Sequence, residues 1–504
     1  MGVTALCTPG IAHAALANTT ITTTLGGTPA FVGSPVFDSA NVANGASSPS
    51  GTVTFRLYGP GAMNCNGTAI FTSTVALNNT GTSTGNATSG SFTPTATGSY
   101  RWQAVYSGDV NNRDATSNCA SEIFTVSKAT PTLSTLAMTP VPVGTAMTDT
   151  ATLTGGSNPT GTITFQLFAP GNTTCSGTPI FTSTVAVSGG TATSGTYTPT
   201  GTGTYRWKAS YSGDANHDAV AAPCNAANES VIVTNADPTM TTQAVDPAIV
   251  GTPISDTATM VGGFGPTGTV TFNLYGSTDA TCSGSPIFTS TVPLSGTTAT
   301  SANYTPTAVG TYRWRATYSG DANNNPFTAP CNSANESTVV IKATPTLSTT
   351  PSGNITIGNG NISDSATISN GYDPTGTITF KAFGPNDPAC SGTAVFTSTV
   401  AVAGAAAASG DYTPTGAGIY HWTADYSGDA NNETASSACV DEMVTVAKAT
   451  PTIATTASAQ VVLGGQISDS ATIVSGYNPT GTVTFNLYGP DDATCAGTII
   501  FTAT

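Results

Sequence analysis

The segment Gly268-Thr269-Val270-Thr271-Phe272-Asn273-Leu274-Tyr275 decides the fold. Val270, Phe272 and Leu274 point one way and Thr271 and Asn273 the other, a period of two that belongs to a β-strand with one buried face. The same alternation returns at Tyr312, Trp314, Ala316 and Tyr318, with Arg313, Arg315 and Thr317 opposite. The opening string G-T-[VI]-T-F recurs at Gly51, Gly161, Gly376 and Gly481, at intervals of 105 to 110 residues. Self-similarity at that period predicts one sandwich of immunoglobulin size per repeat.

Outward from this string, each unit keeps one order of segments. An Asp-led strand (Asp149 to Leu153, Asp364 to Ile368) comes first. Then follow G-T-[VI]-T-F, a Gly/Pro/Asp loop with one Cys, and a strand such as Ile180 to Val185. Y-T-P-T, G-x-Y-[RH]-W, Y-S-G-D and a short Val-rich strand complete the unit. No window carries a helical stripe, and two antiparallel sheets packed face to face bury such strands best. The expected fold class is all-β: tandem immunoglobulin-like β-sandwich domains in an elongated array. Whole domains are expected at 18–128, 129–235, 236–342 and 343–448, with a partial fifth at 449–504 that is truncated or completed by a partner. Completion by a neighbour would make the chain a subunit of a self-assembling extracellular filament. Residues 1–17 hold an A-x-A site at Ala12-His13-Ala14 and read as a signal-peptide remnant or a short tail. The joints, such as Lys128-Ala129-Thr130-Pro131-Thr132, place Pro where it holds the chain extended, so the array is expected to be a rod on the order of 150 Å long.

Composition narrows the function. Charged residues are 7% of the chain and the net charge is −15, with 11 Lys and Arg in all. That excludes nucleic acid, which needs clustered cations, and argues against anionic membrane surfaces. No apolar run is long enough for a membrane helix, so no membrane insertion is expected within this segment. Thr, Ser, Gly and Ala replace the charges, and β-branched Thr suits the solvent face of a strand.

G-T-[VI]-T-F followed by Y-S-G-D-[AV]-N resembles a family of bacterial Ig-like domains found in tandem in secreted and surface proteins. The matching residues are Tyr106 to Asn111, Tyr211 to Asn216, Tyr318 to Asn323 and Tyr426 to Asn431. The resemblance implies an extracellular spacer or adhesive stalk, and location and architecture more than any ligand. The partners considered are other copies of itself, or host and cell-surface glycans or proteins bound directly by the inter-strand loops at one end of each unit. Such family members usually lack the two cysteines present in each unit here.

Those cysteines fall in pairs: Cys65/Cys119, Cys175/Cys224, Cys282/Cys331 and Cys390/Cys439, with Cys7 and Cys495 left unpaired. The arithmetic predicts disulfides made in an oxidising compartment rather than zinc ligands, because there is no C-x-x-C and only three His. In immunoglobulin strand order the two loops open at opposite ends of the sandwich. A bridge within one unit therefore requires one loop to fold back along the sheet. The alternative links neighbours, as in Cys175 to Cys331; pairing within units is favoured because each unit then folds alone.

Polar features recur once per unit. Asp109, Asp214, Asp321 and Asp429 stand in the Y-S-G-D turn beside an Asn; a tight turn is the favoured reading, with calcium the alternative, since one carboxylate is a thin ligand set. Asp38, Asp149, Asp256, Asp364 and Asp469, each opening a strand, could join that set as a second carboxylate, but a strand-end hydrogen bond is the favoured reading. The Tyr-x-Trp pairs, such as Tyr205/Trp207, read as core rather than a sugar-stacking platform. Lys128, Lys342 and Lys448 end units, with no invariant Asn and acid beside them for an isopeptide bond. An enzyme concentrates chemistry at one unrepeated site, and none is visible. The expectation is a chain that is not an enzyme and needs no cofactor.

Overall fold

The computed structural model describes residues 15–504 apart from 44, 46, 47, 80, 82 and 386. The expected signal remnant therefore lies almost wholly outside the described residues, as does Cys7. The chain forms two compact units. The first runs to Pro238 and takes in Gly262–Pro266 and Gly320–Asn325; the second holds Thr239–Val261, Thr267–Ser319 and Pro326–Thr504. The architecture is all-β, an array of repeated two-sheet domains with no α-helix among the described residues.

The second domain gives the pattern. Its strands are β1 (Thr132–Ala137), β2 (Val141–Pro142), β3 (Asp149–Thr154), β4 (Thr162–Phe168), β5 (Phe181–Ala186), β6 (Thr191–Thr193), β7 (Gly203–Tyr211), β8 (Val220–Ala221) and β9 (Ser230–Thr234). One sheet has the order β1-β3-β6 and the other β2-β9-β7-β4-β5, with β8 beside β7. Every pairing is antiparallel except β2 with β9, where Val141 faces Val233 in parallel. The first strand thus begins in one sheet and finishes in the other, the strand-switching arrangement of immunoglobulin-type sandwiches. The third and fourth domains repeat this order, and the first adds a short strand, Asn78–Asn79, at the edge of its smaller sheet. The fifth segment forms two two-stranded sheets, Thr452–Ala457 with Asp469–Val474 and Phe485–Tyr488 with Ile499–Ala503.

Alternation sets the packing. In β4, Ile163, Phe165 and Leu167 are fully buried while Thr164 and Gln166 stay at the surface. Trp207 lies at the centre, with Phe165 and Phe181 edge-on to it at ring distances of 6.4 and 6.0 Å. Facing threonines pair across β4 and β5: the Thr164 and Thr184 hydroxyls are 3.1 Å apart, and Thr54/Thr74, Thr271/Thr291 and Thr379/Thr399 repeat the pair at 3.0 Å. Each such hydroxyl pair satisfies two polar groups on a pleated surface.

Trp102, Trp207, Trp314 and Trp422 are each wholly buried, one per domain. Truncating Trp314 to Ala should destabilise the third domain by about 3–5 kcal/mol through cavity formation. Hydrogen–deuterium exchange should show lost protection confined to peptides such as Thr269–Tyr275, with the first domain unchanged.

Candidate functional site

The two signature motifs are one structure. In the second domain Gly161 opens β4 with φ of 85°, and a Cβ there would sit 2.5 Å from the Gly213 carbonyl oxygen, so only glycine fits. Thr162 N–H donates to Ser212 Oγ at 3.0 Å, and Ser212 Oγ–H donates to the Gly213 carbonyl at 2.8 Å. Tyr211 reaches past them and donates its phenol to the Thr160 carbonyl at 2.6 Å.

Asp214 holds this arrangement. Its Oδ1 accepts from Asn216 N (2.7 Å), His217 N (2.8 Å) and His217 Nδ1 (2.8 Å), while Oδ2 accepts from Thr160 N (2.6 Å) and Thr160 Oγ1 (2.8 Å). Burial alone would raise its pKa, but donors from Thr160, Asn216 and His217 outweigh burial and hold it well below the usual carboxylate range. Asp109 and Asp429 repeat the shift in the same direction, burial again opposed by Asn112 and Ser50 in one and by Thr375, Asn431 and Asn432 in the other. Asp321 Oδ1 accepts from Asn323 N at 2.8 Å and Asn324 N at 2.9 Å. These carboxylates take the chain's own donors, which is turn chemistry. Among the described residues no group of three or more His, Cys, Asp and Glu is placed to hold a metal.

The turn also receives the incoming linker. Ala129 N–H donates to the Asn216 carbonyl (3.0 Å), and Asp218 N–H returns a bond to the Ala129 carbonyl (2.9 Å). Lys128 Nζ donates to the Asp214 carbonyl at 2.6 Å, and Thr130 Oγ1 to Asp218 Oδ2 at 2.9 Å. From the first domain, Thr97 N–H donates to Asn216 Oδ1 (3.0 Å), and Asn216 Nδ2 donates to the Thr95 carbonyl (3.2 Å). Three chain segments thus meet on one turn. Within the second unit the fourth domain does the same: Lys342 Nζ donates to the Asp429 carbonyl (2.6 Å), Ala343 N to the Asn431 carbonyl (2.9 Å) and Asn431 Nδ2 to the Thr307 carbonyl (3.3 Å). The terminal lysines therefore satisfy backbone carbonyls at a joint. Lys448, beside the fifth segment, is exposed. At the entry to the first domain Ala17 takes the position of Ala129, donating to the Asn111 carbonyl at 3.0 Å.

Disulfides join Cys65 to Cys119, Cys175 to Cys224, Cys282 to Cys331 and Cys390 to Cys439, with Cα separations of 5.6 to 6.0 Å. Each closes one domain on itself. The route is the fold-back that the strand order demands: after the turn, β8 returns along β7, Ala222 N–H bonds the Ala209 carbonyl, and Cys224 arrives beside the loop that follows β4. Cys495 is free and exposed. Four disulfides fit folding in an oxidising, extracellular environment. No described helix is long and apolar enough to cross a membrane. The Tyr-x-Trp strand is core: the tryptophans are buried, and Tyr205 donates to the Gly201 carbonyl at 2.9 Å as a corner residue, as Tyr100, Tyr312 and Tyr420 do to their own loops.

One reading needs correction. The strand-opening aspartates Asp38, Asp149, Asp256 and Asp364 are inside the sandwich, at most 2% exposed, and their carboxylate oxygens have no hydrogen-bond partner. Only their backbone groups close the strand end, as where Asp149 N–H donates to Ser194 Oγ. Burial pushes the carboxyl of Asp149 up to about 6 and those of Asp38, Asp256 and Asp364 up to about 7; Glu122 and Glu442 add repulsion at Asp38 and Asp364. In the second, third and fourth domains a glutamate just before the last strand, Glu229, Glu336 or Glu442, is buried too. The signal was present in the sequence: Asp149 has the parity of Ala151 and Leu153, and Glu229 that of Val231 and Val233, all inward.

No protein-family model matches the chain, and no curated protein matches it. Among solved structures it resembles the native conformation of Escherichia coli α2-macroglobulin (9% identity, 87% of this chain and 41% of that one, TM-score 0.18). It also resembles red sea bream transglutaminase (12% identity, 42% of this chain and 31% of that one, TM-score 0.22). The chain spans less than half the length of either protein, and likeness at such scores bears on neither fold nor function.

Three outcomes follow from this geometry. Asp214→Ala strands the donors of Thr160, Asn216 and His217 and should destabilise the second domain by about 1–3 kcal/mol; the Ala129 amide should then exchange faster, read by hydrogen–deuterium exchange. Reducing the disulfides should destabilise each domain by about 4 kcal/mol on the chain-entropy model for loops of this length, read as a lowered urea midpoint. The pH profile has two opposed limbs. The raised aspartates favour folding fully below their unfolded pKa near 4, a contribution lost as pH rises towards 7; the turn aspartates contribute above about 4 and lose that contribution in acid. Thermal melts should therefore show higher stability at pH 5 than at pH 8.

Proposed function

We propose that this chain is a structural spacer of a bacterial surface or secreted adhesin-like protein, acting outside the cell as a disulfide-stapled rod. The observation that carries this reading is where the most repeated motif directs its bonds. Y-S-G-D-[AV]-N aims its donors and acceptors at the incoming linker and at a loop of the preceding domain, as Asn216 does with Ala129 and Thr97. A ligand site would leave those groups free. Asn216 bonded to both neighbours restricts rotation at the joint, and a spacer needs joints that do not fold back. One disulfide per domain keeps each unit closed when the chain is pulled or exposed to denaturing surroundings. The resemblance of the motif to bacterial tandem Ig-like domains supports the same role.

Small-angle X-ray scattering on the whole chain tests the reading. A maximum dimension on the order of 150 Å is expected from end-to-end domains whose strands rise about 3.3 Å per residue. A compact particle of half that dimension would count against a spacer. Asn216→Ala together with Asn431→Ala should broaden the distance distribution, because both joints lose their bonds to the preceding loop.

A further inference from the structure

The turn that follows β7 differs between domains at one buried position. His217 stands in the second domain where Asn112, Asn324 and Asn432 stand in the others. Both of its ring nitrogens are in use. Nδ1 bonds Asp214 Oδ1 at 2.8 Å, and Ser157 N–H, on the loop leaving β3, donates to Nε2 at 3.2 Å. A backbone N–H can only donate, so Nε2 is an acceptor and the ring is neutral, with its one proton on Nδ1 facing the carboxylate. Asn324 and Asn432 make the same two bonds with an amide. Their Nδ2 donates to Asp321 Oδ1 and Asp429 Oδ1 at 2.9 Å, and their Oδ1 accepts from Phe264 N at 2.8 Å and Tyr372 N at 2.7 Å. An amide keeps those roles at any pH, and an imidazole does not.

The loop on Nε2 is also where the first domain meets the second. Gly156 lies so close to the ring that a Cβ there would be 2.4 Å from Nε2, and a Cβ on Gly33 of the first domain would be 2.9 Å from the Gly156 carbonyl carbon. The loop is thus wedged between His217 and the first domain. In the third and fourth domains the residue matching Ser157 is aromatic, and Phe264 and Tyr372 pack against the core of the domain before them. Ser157 brings no such ring, so the bond to His217 supplies more of the hold at this joint.

We propose that His217 is an acid-sensitive latch on the contact between the first two domains, a property beyond the spacer role itself. A proton taken up at Nε2 turns an acceptor into a donor, expels the Ser157 amide and frees the Gly155–Ser157 loop from the ring. Histidine is the side chain whose charge changes between pH 5 and 8, so mild acid releases this contact and leaves those built on asparagine shut. Asp214 is held well below the usual carboxylate range, so it stays ionised at pH 5 and keeps its bond to Nδ1 in both states of the ring. The change is thereby confined to Nε2. The other titratable groups around the turn are Lys128, Tyr211 and Asp218. Lys128 Nζ reaches the Asp214 and His217 carbonyls at 2.6 and 3.5 Å, Tyr211 faces the Asp214 carboxylate, and Asp218 accepts from Thr130. On the Nε2 side, Gly155 to Ser157 and Gly33 beyond them carry no titratable side chain.

Nitrogen-15 labelling of the three histidines and hydrogen–deuterium exchange of the whole chain, each at pH 7.5 and pH 5, test this. The signal lost in His217→Asn identifies the ring, whose Nε2 should be bare at pH 7.5 and protonated at pH 5. The protection factor of the Ser157 amide, corrected for the intrinsic effect of pH, should fall by about tenfold, the effect of losing one hydrogen bond. Those of the Phe264 and Tyr372 amides should hold, which reports that the fold is intact. His217→Asn should give Ser157 equal protection at both pH values. Small-angle scattering should show the distance distribution broadening at pH 5 in the wild type and not in the variant. Equal protection of Ser157 at both pH values in the wild type overturns the proposal even where the variant fails to fold. So does a ring whose Nε2 stays bare at pH 5, a loss shared by Phe264 and Tyr372, a loss that persists in the folded variant, or wild-type scattering that is the same at both pH values. Scattering at pH 7.5, where the latch is shut, tests the spacer reading on its own.

Discussion

A single carboxylate per domain organises the rest. Asp214 and its counterparts gather donors from the turn that follows the central strand and from the residue before the opposing strand. That fixes the turn, and the fixed turn presents the backbone carbonyls that the entering linker needs. Position, not reactivity, is what the charge supplies. Five donors on one carboxylate hold it ionised and fix its orientation.

The two signature strings are separated by some fifty residues in sequence yet form a common contact, which explains why both recur together. Gly161 must lack a side chain because the Gly213 carbonyl occupies the space, and Ser212 bridges the two strands with a hydroxyl that both donates and accepts. A change in either string is felt by the other. This coupling also ties the interior to the joint: β4 carries the core residues Phe165 and Leu167 and begins at the same turn that clamps the linker.

The sandwich itself was legible because its strands alternate and its repeats are regular, and both signals are local. The pairing of cysteines within units was legible as a preference, but the return of β8 along β7 that permits it was not, since two-residue strands leave no periodic trace. The burial of the aspartates was not read from the sequence although their parity was inward, because a carboxylate at a strand start is ordinarily a surface group. The bonding of Lys128 and Asn216 across domains depends on two units at once, and no reading of a single repeat contains it.

The threonine ladders carry a further consequence. A surface whose cross-strand contacts are hydroxyl pairs has few ionic interactions to lose; among the described residues the Lys/Arg–carboxylate pair is Lys381 with Asp425. Dissolved salt screens charges and leaves neutral hydrogen bonds nearly untouched. The outer faces of these domains are therefore suited to surroundings whose ionic strength swings widely, from fresh water to brine, without change in how their strands hold together.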